Sequence, residues 1–381
     1  MKKIIRLIFA VASLLITTSL WAQYDQKSNN LQSYTELNPY ETVQLKEPSS
    51  TKAKNVILMI GDGMGLNQVS AAWLANRGAL NLDNFKKTGF SRTYAANKLI
   101  TDSGASGTAM ACGQKTNYHS IGVDIAGNEL NSLTDLAHAK GLATAVVVTC
   151  GLTDATPAAF CASSIDRDLE EDIAADFLSC NVDFLLGGGR KLFNQRADQR
   201  NILNEMTQKG YTVTSTWHET VKINSGKVMA VLEDGQLPLY PERGTLFQDA
   251  SMKALEFVGK NDKGFFAMLE GSRIDDCGHW NDLPKLIQEV FDFDQTIGKV
   301  LQWAENDGET LVIVLADHET GGLILLGGDI ASGKVEGSFS TGGHSGIFVP
   351  VYAFGPGADQ FTGFYENTEV FHRIAQLLDL K

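Results

Sequence analysis

Six short apolar runs, at residues 56–60, 145–149, 184–186, 265–269, 311–316 and 347–354, are unbroken and bounded by glycine or polar residues. A strand with one wet face alternates apolar with polar, whereas a strand buried on both faces does not. Runs of this kind therefore suit parallel strands inside a sheet that is covered on both sides. Amphipathic stretches at residues 132–140, 169–177 and 291–305 lie between them. This alternation predicts an α/β fold with a doubly wound, mostly parallel central sheet and helices on both faces. No internal repeat or low-complexity tract interrupts it.

The N-terminal part of the chain reads differently. Lys2, Lys3 and Arg6 precede an apolar run over residues 7–15, and Ala22 offers a small residue before Gln23. Residues 1–22 are thus expected to be a secretory signal peptide, with an uncleaved anchor as the alternative. No later stretch approaches the ~18 apolar residues of a spanning helix, so no stable membrane insertion is expected of an exported, periplasmic or secreted protein. Residues 23–51, rich in Gln, Asn, Ser and Thr, suit an extended arm or linker. The remainder, residues 52–381, is long enough for one large α/β domain.

Charge and cysteines narrow the partners. Without the two lysines and one arginine of the leader, the formal charge moves from −13 to −16. That opposes nucleic acid as a specific partner, because such binding rests on basic neutralisation of phosphates. Five cysteines (Cys112, Cys150, Cys161, Cys180 and Cys277) leave at least one unpaired. One or two disulfides and scattered buried thiols are both compatible with that number.

The chemistry lies at the ends of the apolar runs. Asp62 follows the first run, Asp154 and Thr156 the second; Glu270 closes the fourth, and Asp317 and His318 close the fifth. In open α/β sheets the carboxyl ends of the strands form the site. So many carboxylates cannot converge there unless cations neutralise them, which predicts a multi-metal centre. Singly, an aspartate at a strand end is more often a turn or cap residue; the conjunction carries the argument. Asp275 and His279 are four apart, one helical turn, and His344 sits among glycines. Imidazole with carboxylate suits zinc, and carboxylate with hydroxyl suits magnesium. In Thr101-Asp102-Ser103-Gly104-Ala105-Ser106, Thr101 stands where the nucleophile elbow of a His-dependent hydrolase needs glycine. Activation of Ser103 by a metal ion is the alternative. His119, His138, His218 and His372 lack such settings and read as ordinary histidines.

From about Asn55 to the last strand these motifs resemble, in order, those of the alkaline phosphatase family. The resemblance implies a phosphomonoesterase with two Zn2+ and one Mg2+ per chain, acting on small-molecule phosphate monoesters through a phosphoserine at Ser103. It further implies that Asp62 bridges a zinc and the magnesium, and that Asp317 and His318 complete the zinc beside Ser103. Asp275, His279 and His344 are implied to hold the other zinc, Asp154, Thr156 and Glu270 the magnesium, and Arg167 the phosphate. Residues 52–381 would then be a single catalytic domain, with a reduced insertion near 319–343 and a homodimer left open. Asp276 departs from the pattern, standing where the best-known bacterial members have lysine and animal members histidine. A phosphodiesterase or sulfatase of the same superfamily, and a non-catalytic metal- or phosphate-binding protein, are the competing readings.

Overall fold

The computed structural model describes residues 30–380 apart from positions 47, 49 and 51, so the expected signal peptide and the first residues of the arm lie outside the described residues. The strands, in chain order, are β1 (Gln32–Thr35), β2 (Asn55–Gly61), β3 (Lys87–Arg92), β4 (Ala143–Gly151), β5 (Phe184–Gly188), β6 (Tyr211–Thr214), β7 (Lys227–Val231), β8 (Phe265–Gly271), β9 (Thr310–Leu315), β10 (Glu319–Thr320), β11 (Leu323–Asp329), β12 (Lys334–Phe339), β13 (His344–Ser345), β14 (Val349–Phe354) and β15 (Gly363–Glu366). Ten of them form the central sheet, in the order β15-β3-β14-β9-β2-β8-β4-β5-β7-β6. Within it, only the pairs made by β14 are antiparallel.

The unbroken apolar runs are buried on both faces because the sheet lies between two cores. Along β2, Val56, Leu58 and Ile60 face one core, and Ile57 and Met59 the other, as the two-residue period of a strand requires. Burying each such side chain is worth about 1.5–3 kcal/mol. Helices Ser103–Cys112, Leu133–Lys140 and Thr368–Leu377 cover the first face. Helices Leu66–Ala75, Leu246–Val258 and Leu283–Asp307 cover the second. The last is capped by Asp282, whose side chain accepts from Lys285 N, and ends at Gly308 in the left-handed region. Its apolar stripe, Leu286, Val290, Ile297, Val300, Leu301 and Ala304, recurs at helical spacing and packs on the sheet.

One of the six runs differs from its expected direction. Residues 347–354 were expected to form a parallel strand, but β14 begins at Val349 and runs antiparallel to both neighbours. The reason is topological. After β9 the chain makes β10 to β13 without a helix that would carry it back across the sheet, so it re-enters from the end where it left. Ile347 and Phe348 precede the strand and are exposed.

That excursion also engages the N-terminal arm. β1 pairs antiparallel with β12, which pairs with β11. Beyond β1, Tyr40 OH donates to Asp294 Oδ2 at 2.6 Å, and Val43 N to Asn81 Oδ1 at 2.9 Å. Among the described residues no helix is long and apolar enough to cross a membrane.

Arg243 ties the helix Leu283–Asp307 to the segment before Leu246–Val258. Its Nη2 lies 2.6 Å from Glu289 Oε2 and 2.7 Å from Asp292 Oδ2, with all three side chains at most 1% exposed. Replacing Arg243 by leucine would strand two buried carboxylates, and a broken buried pair costs about 3–5 kcal/mol. Urea unfolding of Arg243→Leu is expected to show a loss of that size, whereas a loss below about 1 kcal/mol would mean that the carboxylates had found other partners.

Candidate active site

β9, β2, β8 and β4 are consecutive in the sheet, so the residues at their carboxyl ends meet at one edge. Asp62 follows β2, Glu270 lies near the end of β8, Asp317 and His318 follow β9, and Asp154 and Thr156 follow β4. Helix Arg273–His279 starts directly after β8 and presents Asp275 and His279 one turn apart. The turn after β2 requires glycine at position 63. Gly63 has φ +68°, and a Cβ there would lie 2.7 Å from Thr320 Oγ1 and 2.8 Å from Asp275 Oδ1. Its N–H donates to Asp317 Oδ1 at 3.1 Å.

Ser103 is the first residue of helix Ser103–Cys112, whose ten residues are all buried. Asp102 caps that helix, accepting from Gly104 N and Ala105 N, each at 3.2 Å. The cap holds Ser103 Oγ 3.2 Å from His318 Nε2. The same carboxylate also grips Arg167: Nη1 is 3.2 Å from Asp102 Oδ2, and Nη2 is 3.0 Å from Asp154 Oδ1. Burial alone would push the Asp102 carboxyl up, but Arg167 and the backbone donors of His119 and Ala105 hold it below the usual range.

The three imidazoles are oriented alike. His344 Nδ1 is 2.8 Å from Thr101 O, and His279 Nδ1 is 2.7 Å from Gly342 O. A carbonyl only accepts, so each Nδ1 carries a proton and Nε2 is the nitrogen left to face the site. His318 Nδ1 is 3.2 Å from Thr320 Oγ1, whose own proton goes to Asp275 Oδ1, so His318 too donates through Nδ1. His279 Nε2 and His344 Nε2 then face each other at 3.2 Å, and Asp275 approaches them at 3.1 and 3.6 Å. Two facing lone pairs at that distance repel unless a proton or a cation lies between them.

The carboxylates are as crowded as the nitrogens. His318 Nε2 lies 3.0 Å from Asp317 Oδ2 and 3.6 Å from Asp62 Oδ1. Asp62 Oδ1, Asp317 Oδ2 and Glu270 Oε1 are buried without a hydrogen-bond partner. Burial, reinforced by the charges of Asp317, Asp275, Glu270 and Asp154, pushes the Asp62 carboxyl well above its ordinary value. Burial and the charges of Asp154 and Asp317 do the same to Glu270. Thr156 Oγ1 reaches Asp62 Oδ2 at 3.4 Å. Asp275, His279 and His344 form one group able to hold a metal ion, and Asp62, Asp317 and His318 another. Burial and the His318 charge lower His344 to about 4, which keeps its imidazole neutral and ready to ligate.

Every residue singled out in the sequence thus reaches this edge. Asp154 engages Arg167 and its own helix N-terminus at Ala155 N, 2.7 Å away. Asp276, the departure from the family pattern, is occupied by the Arg273 guanidinium beside it. Sequence reasoning passed over Asp102 and Thr320, which orient Arg167, His318 and Asp275; an aspartate directly before a serine and a run of small residues was the available signal for the cap. It also set aside His119. That residue lines a cavity of about 520 Å3 above Ser103, together with Lys98, Tyr118, Arg167 and His344, and with Asp166 and Asp168 it makes a third group of metal-ligand type.

Residues 53–338 match the family model described as alkaline phosphatase. Alkaline phosphatase 4 of Bacillus subtilis is 30% identical over an alignment covering 90% of this chain and 92% of that protein. The alkaline phosphatase of Escherichia coli K12 is 30% identical, covering 90% and 89%. Among solved structures, the alkaline phosphatase of the Antarctic bacterium TAB5 superposes with a TM-score of 0.83 at 39% identity, over 87% of this chain and 99% of that one. A variant of that same protein, with a TM-score of 0.82 at 38% identity over 89% and 100%, has been solved with magnesium bound.

Proposed function

The chain belongs to the alkaline phosphatase family and is a phosphomonoesterase, and from that premise we propose that it hydrolyses small-molecule phosphate monoesters through a phosphoserine at Ser103. The observation that carries this reading is the set of three imidazole Nε2 atoms and three unpartnered carboxylate oxygens gathered at the sheet edge to which Ser103 is joined through His318.

The donors fit the expected metals. Asp275, His279 and His344 on one side, and Asp62, Asp317 and His318 on the other, offer imidazole with carboxylate, which suits zinc. Thr156, Glu270, Asp154 and the second oxygen of Asp62 offer oxygen alone, which suits magnesium. When bound, such ions supply Lewis acidity and positive charge to the phosphoryl, ester and serine oxygens.

The chain supplies the rest. Ser103 Oγ, at the N-terminal turn of its helix where partial positive charge favours an oxyanion, loses its proton and attacks phosphorus. The ester P–O bond breaks as the Ser103 O–P bond forms, and the leaving alkoxide takes up a proton. Water then attacks the phosphoserine, restoring Ser103 and releasing inorganic phosphate. Arg167 has five N–H donors, and its contacts to Asp102 and Asp154 fix the plane in which the remaining ones meet two non-bridging oxygens. Assay of a chromogenic phosphomonoester alongside metal analysis tests the reading. Turnover with zinc near two and magnesium near one per chain is expected, and no turnover by the metal-loaded protein would refute it.

Arg167 also separates substrate classes. A monoester leaves free both oxygens that the guanidinium would hold, while a diester blocks one. Arg167→Ala is therefore expected to lose about 2–4 kcal/mol of transition-state stabilisation on a monoester and clearly less on a diester, read as kcat/KM for the two side by side. Equal losses would contradict this role. Export completes the proposal, supported by the leader-like residues 1–22; mass spectrometry of protein recovered outside the cytoplasm should give an N-terminus near Gln23.

A further inference from the structure

The cavity above Ser103 has a wall that the reaction does not use. Lys98 sits at its mouth with the ammonium 3.4 Å from the centre of the Tyr118 ring, and it makes no ion pair among the described residues. Arg167, in the same cavity, is anchored by Asp102 and Asp154. The loop carrying Lys98 is held in place. Ala95 N donates to Lys98 O at 3.0 Å, Ala96 N to Thr116 O at 2.8 Å, and Tyr118 N to Asn97 Oδ1 at 2.8 Å. Tyr118 is itself stacked on His119, with ring centres 4.5 Å apart, and His119 N donates to the Asp102 cap at 3.1 Å. The ammonium thus has a fixed seat on an aromatic face, so little side-chain freedom remains to be lost when it meets an anion.

Its side of the cavity is defined as well. Three residues beyond Lys98, Thr101 O receives His344 Nδ1, and Ile100 packs so closely on Gly346 that a Cβ there would lie 2.9 Å from Ile100 Cδ1. The Lys98 loop therefore runs from the Asp275, His279 and His344 group into the start of the Ser103 helix. In an in-line displacement the leaving oxygen departs opposite the nucleophile, and in the proposed reading, with Ser103 beside His318, the ion held by Asp275, His279 and His344 would meet it there.

We propose that Lys98, seated on Tyr118, is a specificity-determining residue that selects phosphate monoesters whose leaving group carries a second negative charge, such as a carboxylate or a further phosphate. This rests on the phosphomonoesterase reading with Ser103 as nucleophile. The phosphoryl group is met by Arg167 and the metal-ligand edge, so the Lys98 charge is left for the alcohol half of the ester.

The test compares phenyl phosphate with 4-carboxyphenyl phosphate at one fixed ionic strength. Lys98→Ala is expected to lower kcat/KM for the carboxylated ester about 5–10-fold, mostly through KM, and that for phenyl phosphate by no more than about twofold, the size of an exposed charge contact. Lys98→Glu should widen the gap, and Lys98→Arg should restore most of the wild-type ratio. Equal losses on both esters would overturn the proposal by reducing Lys98 to a general attractor of phosphate dianions, and unchanged ratios would overturn it outright. Wild-type protein that is metal-loaded yet inactive on both esters would instead remove the phosphomonoesterase reading, and this proposal with it.

Discussion

Ser103→Ala is expected to lower turnover of a chromogenic phosphomonoester by about a thousandfold or more, the scale seen when a covalent nucleophile is deleted. The fold should barely register the change. Asp102 keeps its cap through backbone donors, and among the described residues the hydroxyl has a single hydrogen-bond partner, His318 Nε2. The melting temperature and the bound zinc and magnesium should therefore stay near wild type while activity vanishes, a combination that misfolding cannot produce. Acid-quenched wild-type enzyme incubated with phosphate should carry the label on Ser103. Ser106 is the nearby rival, but its Oγ already donates to Asp317 O at 2.7 Å and accepts from Asn367 Nδ2 at 2.9 Å. Label on Ser106 would show that the wrong hydroxyl had been chosen.

The second large effect is expected from metal removal. Exhaustive dialysis against a chelator should abolish turnover, and zinc with magnesium should restore it. Stability should fall together with activity, because Asp62, Glu270 and Asp317 are buried with unpartnered oxygens and repel one another once no cation lies among them. Ligands that bind only the native state stabilise by about 2.7 kcal/mol at a hundredfold excess over Kd, so the metal-free protein should melt several degrees lower. A chelated protein that kept full activity would sink the metal reading, and one that lost activity with an unchanged melting temperature would place the ions outside this buried cluster.

The legibility of the chain followed from burial. β2, β8 and β9 were visible as unbroken apolar runs because each lies between two cores. β3 and β15 were not, since both are only partly buried, and β6 is a four-residue edge strand. Helix Ser103–Cys112 escaped for the opposite reason. All of its residues are buried and two are glycines, so it has no wet face from which a helical period could be read. The metal-type residues were found because their side chains carry the chemistry at strand ends. The groups that orient them were less visible: Thr101 and Gly342 act through carbonyls that any residue would supply, and Thr320 acts through a hydroxyl that says nothing by itself. The pairing of β1 with β12 depends on register across nearly the whole chain, which composition does not encode.

The wide spacing of the site residues has a consequence for how such a protein is made. They run from Asp62 to His344, and few of them share an element as Asp275 and His279 do. No shorter stretch of the chain can assemble a complete pocket, and the last of the proposed ligands, His344, arrives on a segment reached only after β9 has been laid down. Contacts of such long separation form slowly, because loop closure must precede any gain from them. A nascent or translocating chain would therefore offer metal ions at most scattered, weak ligands, and loading would have to wait for folding. The choice of ion would then be made by the compartment in which the chain finishes folding, and not by the one in which it is synthesised.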